Sequence, residues 1–178
     1  MYKDITNDTQ SVYKITKPGE YVFYFENKTG TLTFDVNCEN VSITVYGLYS
    51  GKDDDVFSLR ITQSHTTPNS ASSILIKSVL TDTSKLNITS TISIAKDGID
   101  TNASFTNKNL LLSKQAQTVI SPQLEVIPGD VKCTHATTTS PLDTDQLHYL
   151  TTRGINLIDA KQLLISGFAD EILKNKKD

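Results

Sequence analysis

The chain has 178 residues, a formal net charge of −3 and two cysteines, with a pI near 5.6. That length supports one self-sufficient core. The acidic balance excludes a broad basic surface and with it a nucleic-acid partner, and two widely separated cysteines exclude a disulfide framework and read as reduced thiols.

The opening "MYKDITNDTQ" has neither the basic nor the apolar region of a secretory leader. No apolar run approaches the ~18 residues of a membrane helix. The expectation is a cytoplasmic protein with no membrane partner. From Val12 to about Val131 the pattern is short and alternating. "EYVFYFEN", "GTLTFDVN", "NVSITVYGLY", "VFSLRITQSH", "SSILIKSVL", "LNITSTISIAKDG" and "LEVIPGDVKC" pair β-branched or aromatic residues with polar ones at period two. Turn-formers such as "KPGE", "NKTG", "GKDDD", "TPNS" and "KDGID" separate them. This half is all-β: a sandwich, a barrel or a solenoid. The polar face of Ser, Thr and Asn suits stacked coils, but no regular repeat is visible, and the residues alone put a sandwich slightly ahead.

Three features in this half invite chemistry and do not support it. "GLYSGK" (Gly47 to Lys52) is one residue short of a phosphate-binding loop, with Asp53 in place of the magnesium-binding hydroxyl and no helix following. Asp53, Asp54 and Asp55 are adjacent acids on a turn and read as solvated charge. His65 abuts a turn and reads as a surface or edge residue; His148, farther on, reads the same way from a helix.

"DVKCTHATTTSPLD" (Asp130 to Asp143) is different. Positions i and i+2 of a strand project to one face, so Cys133 and His135 point together. A thiolate and an imidazole are competent ligands for iron or zinc. Two ligands are half a site, and the other reading is a buried cysteine beside a hydrogen-bonded histidine.

The period changes after Pro141. Asp143 is a plausible N-cap with Gln146 at the capping-box spacing, and Gly154 supplies a left-handed C′ position. A second helix begins at Asn156, with Asp159 in its first turn and Lys174, Lys176 and Lys177 where the dipole favours cations. Ala160, Leu163, Leu164, Gly167 and Phe168 form one stripe, and Ile158, Ile165, Ile172 and Leu173 widen it beyond the arc that packing on one core needs. The helix either packs on both its partner helix and the β half, or docks another protein. Leu147, Leu150, Ile158, Leu164, Ile165, Phe168 and Ile172 are the candidate docking residues. The division is a β core over 1–141 and a helical region over 142–178.

Four stretches carry a family resemblance: "HTTPNSASSILIKSVLTD", "ISIAKDGIDTNASFTNKNLLLS", "SPQLEVIPGDVKCTHATTTSPLD" and "DQLHYLTTRGINLIDAKQLLISGF". Together they make the chain resemble the SufB/SufD family of iron–sulfur cluster assembly scaffolds, and SufD more than SufB, over roughly residues 60 to 173. The resemblance implies a right-handed parallel β-helix (a β-solenoid) followed by a small helical region, with about six coils at a repeat near 20 residues. It implies a scaffold and not an enzyme. β-Helices pair, with a SufB-like scaffold or a second copy as partner, and C-terminal helices dock a SufC-like ABC ATPase. A transient Fe–S cluster is shared between subunits, with His135 as a ligand and Cys133 beside it. The position of the functional cysteine in SufB-type chains is Leu150 here. Ala136 and Ser140 replace two usual glycines, and His148 an aromatic. The chain is much shorter than typical SufD and is expected to lack its N-terminal helical domain. The alternative is a structural interaction module with no metal contact. A carbohydrate-active β-helix is disfavoured for want of paired carboxylates.

Overall fold

Strands alternate between two parallel sheets as the chain winds. The computed structural model describes residues 1–177. The odd-numbered strands β1 (Tyr2–Asp4), β3 (Gly19–Glu26), β5 (Val41–Gly51), β7 (Ser70–Leu80), β9 (Asn102–Leu111) and β11 (Lys132–Ser140) stack in that order in one sheet. The even-numbered strands β2 (Val12–Ile15), β4 (Gly30–Val36), β6 (Val56–His65), β8 (Lys85–Ile94) and β10 (Gln117–Val126) form the other. All neighbours are parallel. The architecture is therefore a β-solenoid, and the sandwich favoured by alternation alone is overturned. Period two says which residues face inward, but not which strand lies next to which.

The coil length also differs from expectation. Gly19 pairs with Val41, close to the expected ~20-residue repeat. Val41 then pairs with Ser70, Ala71 with Asn102 and Lys85 with Gln117, so later coils span about 30 residues. Corners carry the stacking: Asn40, Asn69 and Asp100 precede β5, β7 and β9 at φ of 56°, 53° and 54°. Asn and Asp are the side chains that best tolerate this left-handed backbone. Their amides run up the stack, Asn40 to the carbonyl of Asn69 (3.0 Å) and Asn69 to that of Ile99 (3.0 Å). Gly47 to Gly51 of "GLYSGK" lie in β5, which ends at Gly51, and Asp53 occupies a left-handed turn.

The interior changes character along the stack. Early coils are packed with rings: Tyr13, Phe23 and Phe34 sit with centroids 4.8–5.7 Å apart, and Tyr49 meets both Phe25 and Phe57. Such rings dominate burial energy. Later coils admit Gln63, His65, Ser70, Ser72, Ser90, Asn107 and Asn109, all buried. Every one of these side chains has a hydrogen-bond partner, as buried polar groups must.

Helix α1 (Thr144–Thr152) begins at Asp143, whose carboxylate accepts from the amides of Asp145 (2.8 Å) and Gln146 (3.1 Å). It ends in a Schellman motif: the Gly154 amide donates to the Thr151 carbonyl and the Ile155 amide to that of Leu150, with Gly154 at φ 89°. Helix α2 (Leu157–Leu173) starts at Asn156, which accepts from the Asp159 amide at 3.0 Å. α2 crosses the outer face of the odd-strand sheet, against β5 and β7. Its buried residues are Ala160, Ala169 and Ile172. Lys176 reaches Glu26 at 2.8 Å and lies over the Tyr24 ring, which ties the helix end back to β3.

Candidate functional site

Both ligand candidates lie on β11, the last strand of its sheet. Register explains their direction. His135 pairs with Phe105, which continues a column of Ile74, Val45 and Phe23; Cys133 pairs with Ala103, above Ser72, Ile43 and Tyr21. Both therefore point into the solenoid at its last coil, beyond which no strand lies among the described residues. An imidazole ends a column that is apolar from β3 to β9, with Lys3 of β1 at its other end.

His135 is half-buried. Its ring lies 5.6 Å from that of Phe105, and its Nε2 is 3.3 Å from Ser90 Oγ. Nδ1 is enclosed without a hydrogen-bond partner. Burial holds the imidazole below its ordinary pKa, so the ring is neutral at pH 7. Cys133 packs against Ile92, Ile94 and Ala103, and burial pushes its thiol up, away from thiolate. A thiolate is the ligand form, so a bound cation would have to displace this proton. Neutral imidazole with an unpaired nitrogen and an adjacent thiol fit part of a soft-metal site. Among the described residues no three His, Cys, Asp or Glu side chains are grouped to hold a metal ion.

Ser90 was not singled out by sequence reasoning. Its signal was a serine at an inward position of "KLNITSTISI", between Ile88 and Ile92. His65 is a correction: it is fully buried, not at a surface or edge. Inward projection from β6 carries it across the interior, where Nδ1 and Nε2 each lie 2.7 Å from Ser70 and Ser72. Ser72 donates to Gln63 Oε1, so it must accept from His65 Nε2–H; Ser70 then donates to Nδ1. Both cysteines are free.

The candidate docking residues divide. Ile158 is 70% exposed, while Leu147, Leu150, Leu164, Ile165 and Phe168 are half-buried. Ile172 is fully buried beneath α2 and is removed from any docking surface. A shallow apolar groove between the helices is lined by Tyr149, Leu150, Leu163 and Leu164, with Asp145 and Gln146 at its rim. Tyr149 and Leu163, exposed and absent from the predicted set, belong to it. Leu163 lies on the expected stripe but outside the docking set, and Tyr149 was missed because the stripe treated the helices separately, whereas the groove needs both. No described helix is long and apolar enough to cross a membrane.

Residues 22–168 match the family model described as SUF system FeS cluster assembly, SufBD core domain. The iron–sulfur cluster assembly protein SufD of Escherichia coli is 34% identical over 143 residues, covering 80% of this chain and 34% of that protein. A SufBD family iron–sulfur cluster assembly protein of Synechocystis is 47% identical over 73 residues, 41% of this chain and 16% of the relative. SufD of Plasmodium falciparum is 30% identical over 134 residues, 75% of this chain and 9% of that protein. The chain thus spans about a third or less of the length of these relatives. A solenoid ending in two helices, with the matched core running through both sheets and into α2, makes the chain a member of the SufBD family of iron–sulfur cluster assembly proteins, of the SufD kind.

Proposed function

We propose that this chain is a SufD-like scaffold or accessory subunit of iron–sulfur cluster assembly, without enzymatic activity of its own. In this reading it is a cytoplasmic protein. It pairs through the uncovered end of its solenoid with a SufB-like scaffold or a second copy, and docks a SufC-like ABC ATPase through α1 and α2. The cluster is cargo held between subunits, with His135 and Cys133 as this chain's side of the site. The carrying observation is that both residues face inward on β11, beyond which no strand lies among the described residues, so a partner chain could complete their surroundings. Leu124, 54% exposed, and Ile127, 71% exposed, lie on or beside the neighbouring edge strand.

The test is anaerobic reconstitution with a SufC-type ATPase and a SufB-type scaffold, followed by visible absorption. His135→Ala is expected to lower cluster yield by ~10-fold. An unchanged yield would remove the ligand role. A second reading, pairing and docking with no metal contact, is favoured by the raised thiol of Cys133 and the absence of a third ligand among the described residues. It requires that Cys133 and His135 substitutions leave yield unchanged while Ile165→Asp abolishes ATPase binding.

A further inference from the structure

The apolar contacts of α2 do not by themselves fix its position. Two alanines and one isoleucine are its buried residues, a small set for a helix of 17 residues. Alanines in particular offer a smooth surface along which a helix can slide. What singles out one turn is Lys77 of β7. Its side chain is 5% exposed, and its Nζ donates to the main-chain carbonyl of Phe168 at 2.6 Å, pairs with Glu171 at 2.6 Å and lies 4.6 Å from the Phe168 ring centroid. A buried ammonium must have its donors met, and these groups meet them only at this setting of the helix. Lys108, the next residue up the same column, also reaches Glu171 at 3.2 Å. It is 39% exposed and bonds the Glu171 side chain rather than the helix backbone, so it adds charge without setting position.

We propose that Lys77 is the positioning residue of the docking surface: it registers α2 on the sheet and thereby places Leu163 and Leu164 opposite Tyr149 and Leu150. As far as docking is concerned, this rests on the function proposed above. The Phe168 carbonyl lies one turn beyond Leu164, so the lysine acts on the helix close to the groove wall. Phe168 itself covers the ammonium and belongs to the clamp before it belongs to any partner surface.

Lys77→Met keeps the volume and the contact with Phe168, and leaves behind only the 44%-exposed Glu171. The solenoid should melt as before. Hydrogen exchange of the α2 amides should rise by about tenfold or more, with strand amides unmoved. Lys77→Arg should restore protection, and Lys108→Met should leave it intact. With a purified SufC-type ATPase as probe, Lys77→Met should weaken binding by about tenfold, as displaced anchors do at interfaces. Unchanged α2 exchange in Lys77→Met, or equal loosening in Lys108→Met, overturns the assignment. If exchange responds as expected but the wild-type chain fails to bind the ATPase, the docking function fails and the registering role of Lys77 stands.

Discussion

His65 stands where an apolar side chain would otherwise fill the solenoid; its hydrogen bonds set its tautomer and its burial keeps it neutral. Ser72, committed to Gln63, accepts from Nε2–H and so fixes the tautomer of the neutral ring, in which Ser70 donates to Nδ1. Burial lowers its pKa from 6.5 to about 4. The unfolded chain therefore binds this proton more readily than the folded one. The stabilisation is complete above pH 6.5 and disappears as the pH falls to about 4, a loss of ~3 kcal/mol. Urea unfolding at pH 7 and pH ~4.5 measures it, and His65→Gln should flatten the dependence across that window. A slope that persists in the variant would move the effect elsewhere; His135, depressed in the same direction, is the alternative source. None of this network was legible in sequence. "SHTTP" looks like a turn, and the serines that hold the ring lie on β7, across the interior. The site residues were more legible, since two-residue spacing alone places Cys133 and His135 on one face. That this face points inward at an uncovered coil depends on register, which no local pattern contains.

Element types followed closely from residue order where capping or alternation was strong. Asp143, Gly154 and Asn156 bound their helices as the sequence suggested, because caps are local chemistry. Strand β9 was harder to read: in "NASFTNKNLL" the inward positions include Asn107 and Asn109, which bond to each other and onward to Thr139. Buried amides imitate a polar loop when only hydropathy is consulted. The helical pair shows the same limit in reverse, since an apolar arc does not say which of its residues is anchor and which is surface. Ile172→Ala should cost ~2–5 kcal/mol of stability, seen as a lowered melting temperature. Leu163→Asp, at an exposed groove position, should leave melting unchanged and weaken ATPase binding in calorimetry by more than ~10-fold. Equal effects of both changes on melting would mean that the groove is structural.

At the scale of the molecule the two ends of the stack differ. The first strands are short, three residues in β1 and four in β2. There Ile5 is fully buried, and Lys28 bonds the carbonyls of Ile5 (2.8 Å) and Asp8 (2.6 Å). The last strands are long, ten residues in β10 and nine in β11, and among the described residues neither has a strand beyond it. Long unpaired edges are templates for another chain, and short, plugged ones are not. Leu124→Lys should therefore reduce the proposed pairing, read by sedimentation as a shift toward monomer, with no change in the melting of the solenoid. Persistence of the pair would place the contact elsewhere.

The plug formed by Ile5 and Lys28 bears on how far such association can proceed. A rod with two adhesive tips elongates without limit as its concentration rises, and ends as a fibre. In the proposed pairing, a solenoid whose described first coil is blunted would offer one adhesive end, and each union would consume it. Growth then terminates after a single step, through a self-complementary contact with its own two-fold symmetry when the chains are identical. In that pairing, the modest loop before β2 is what would separate a finite scaffold from a polymer.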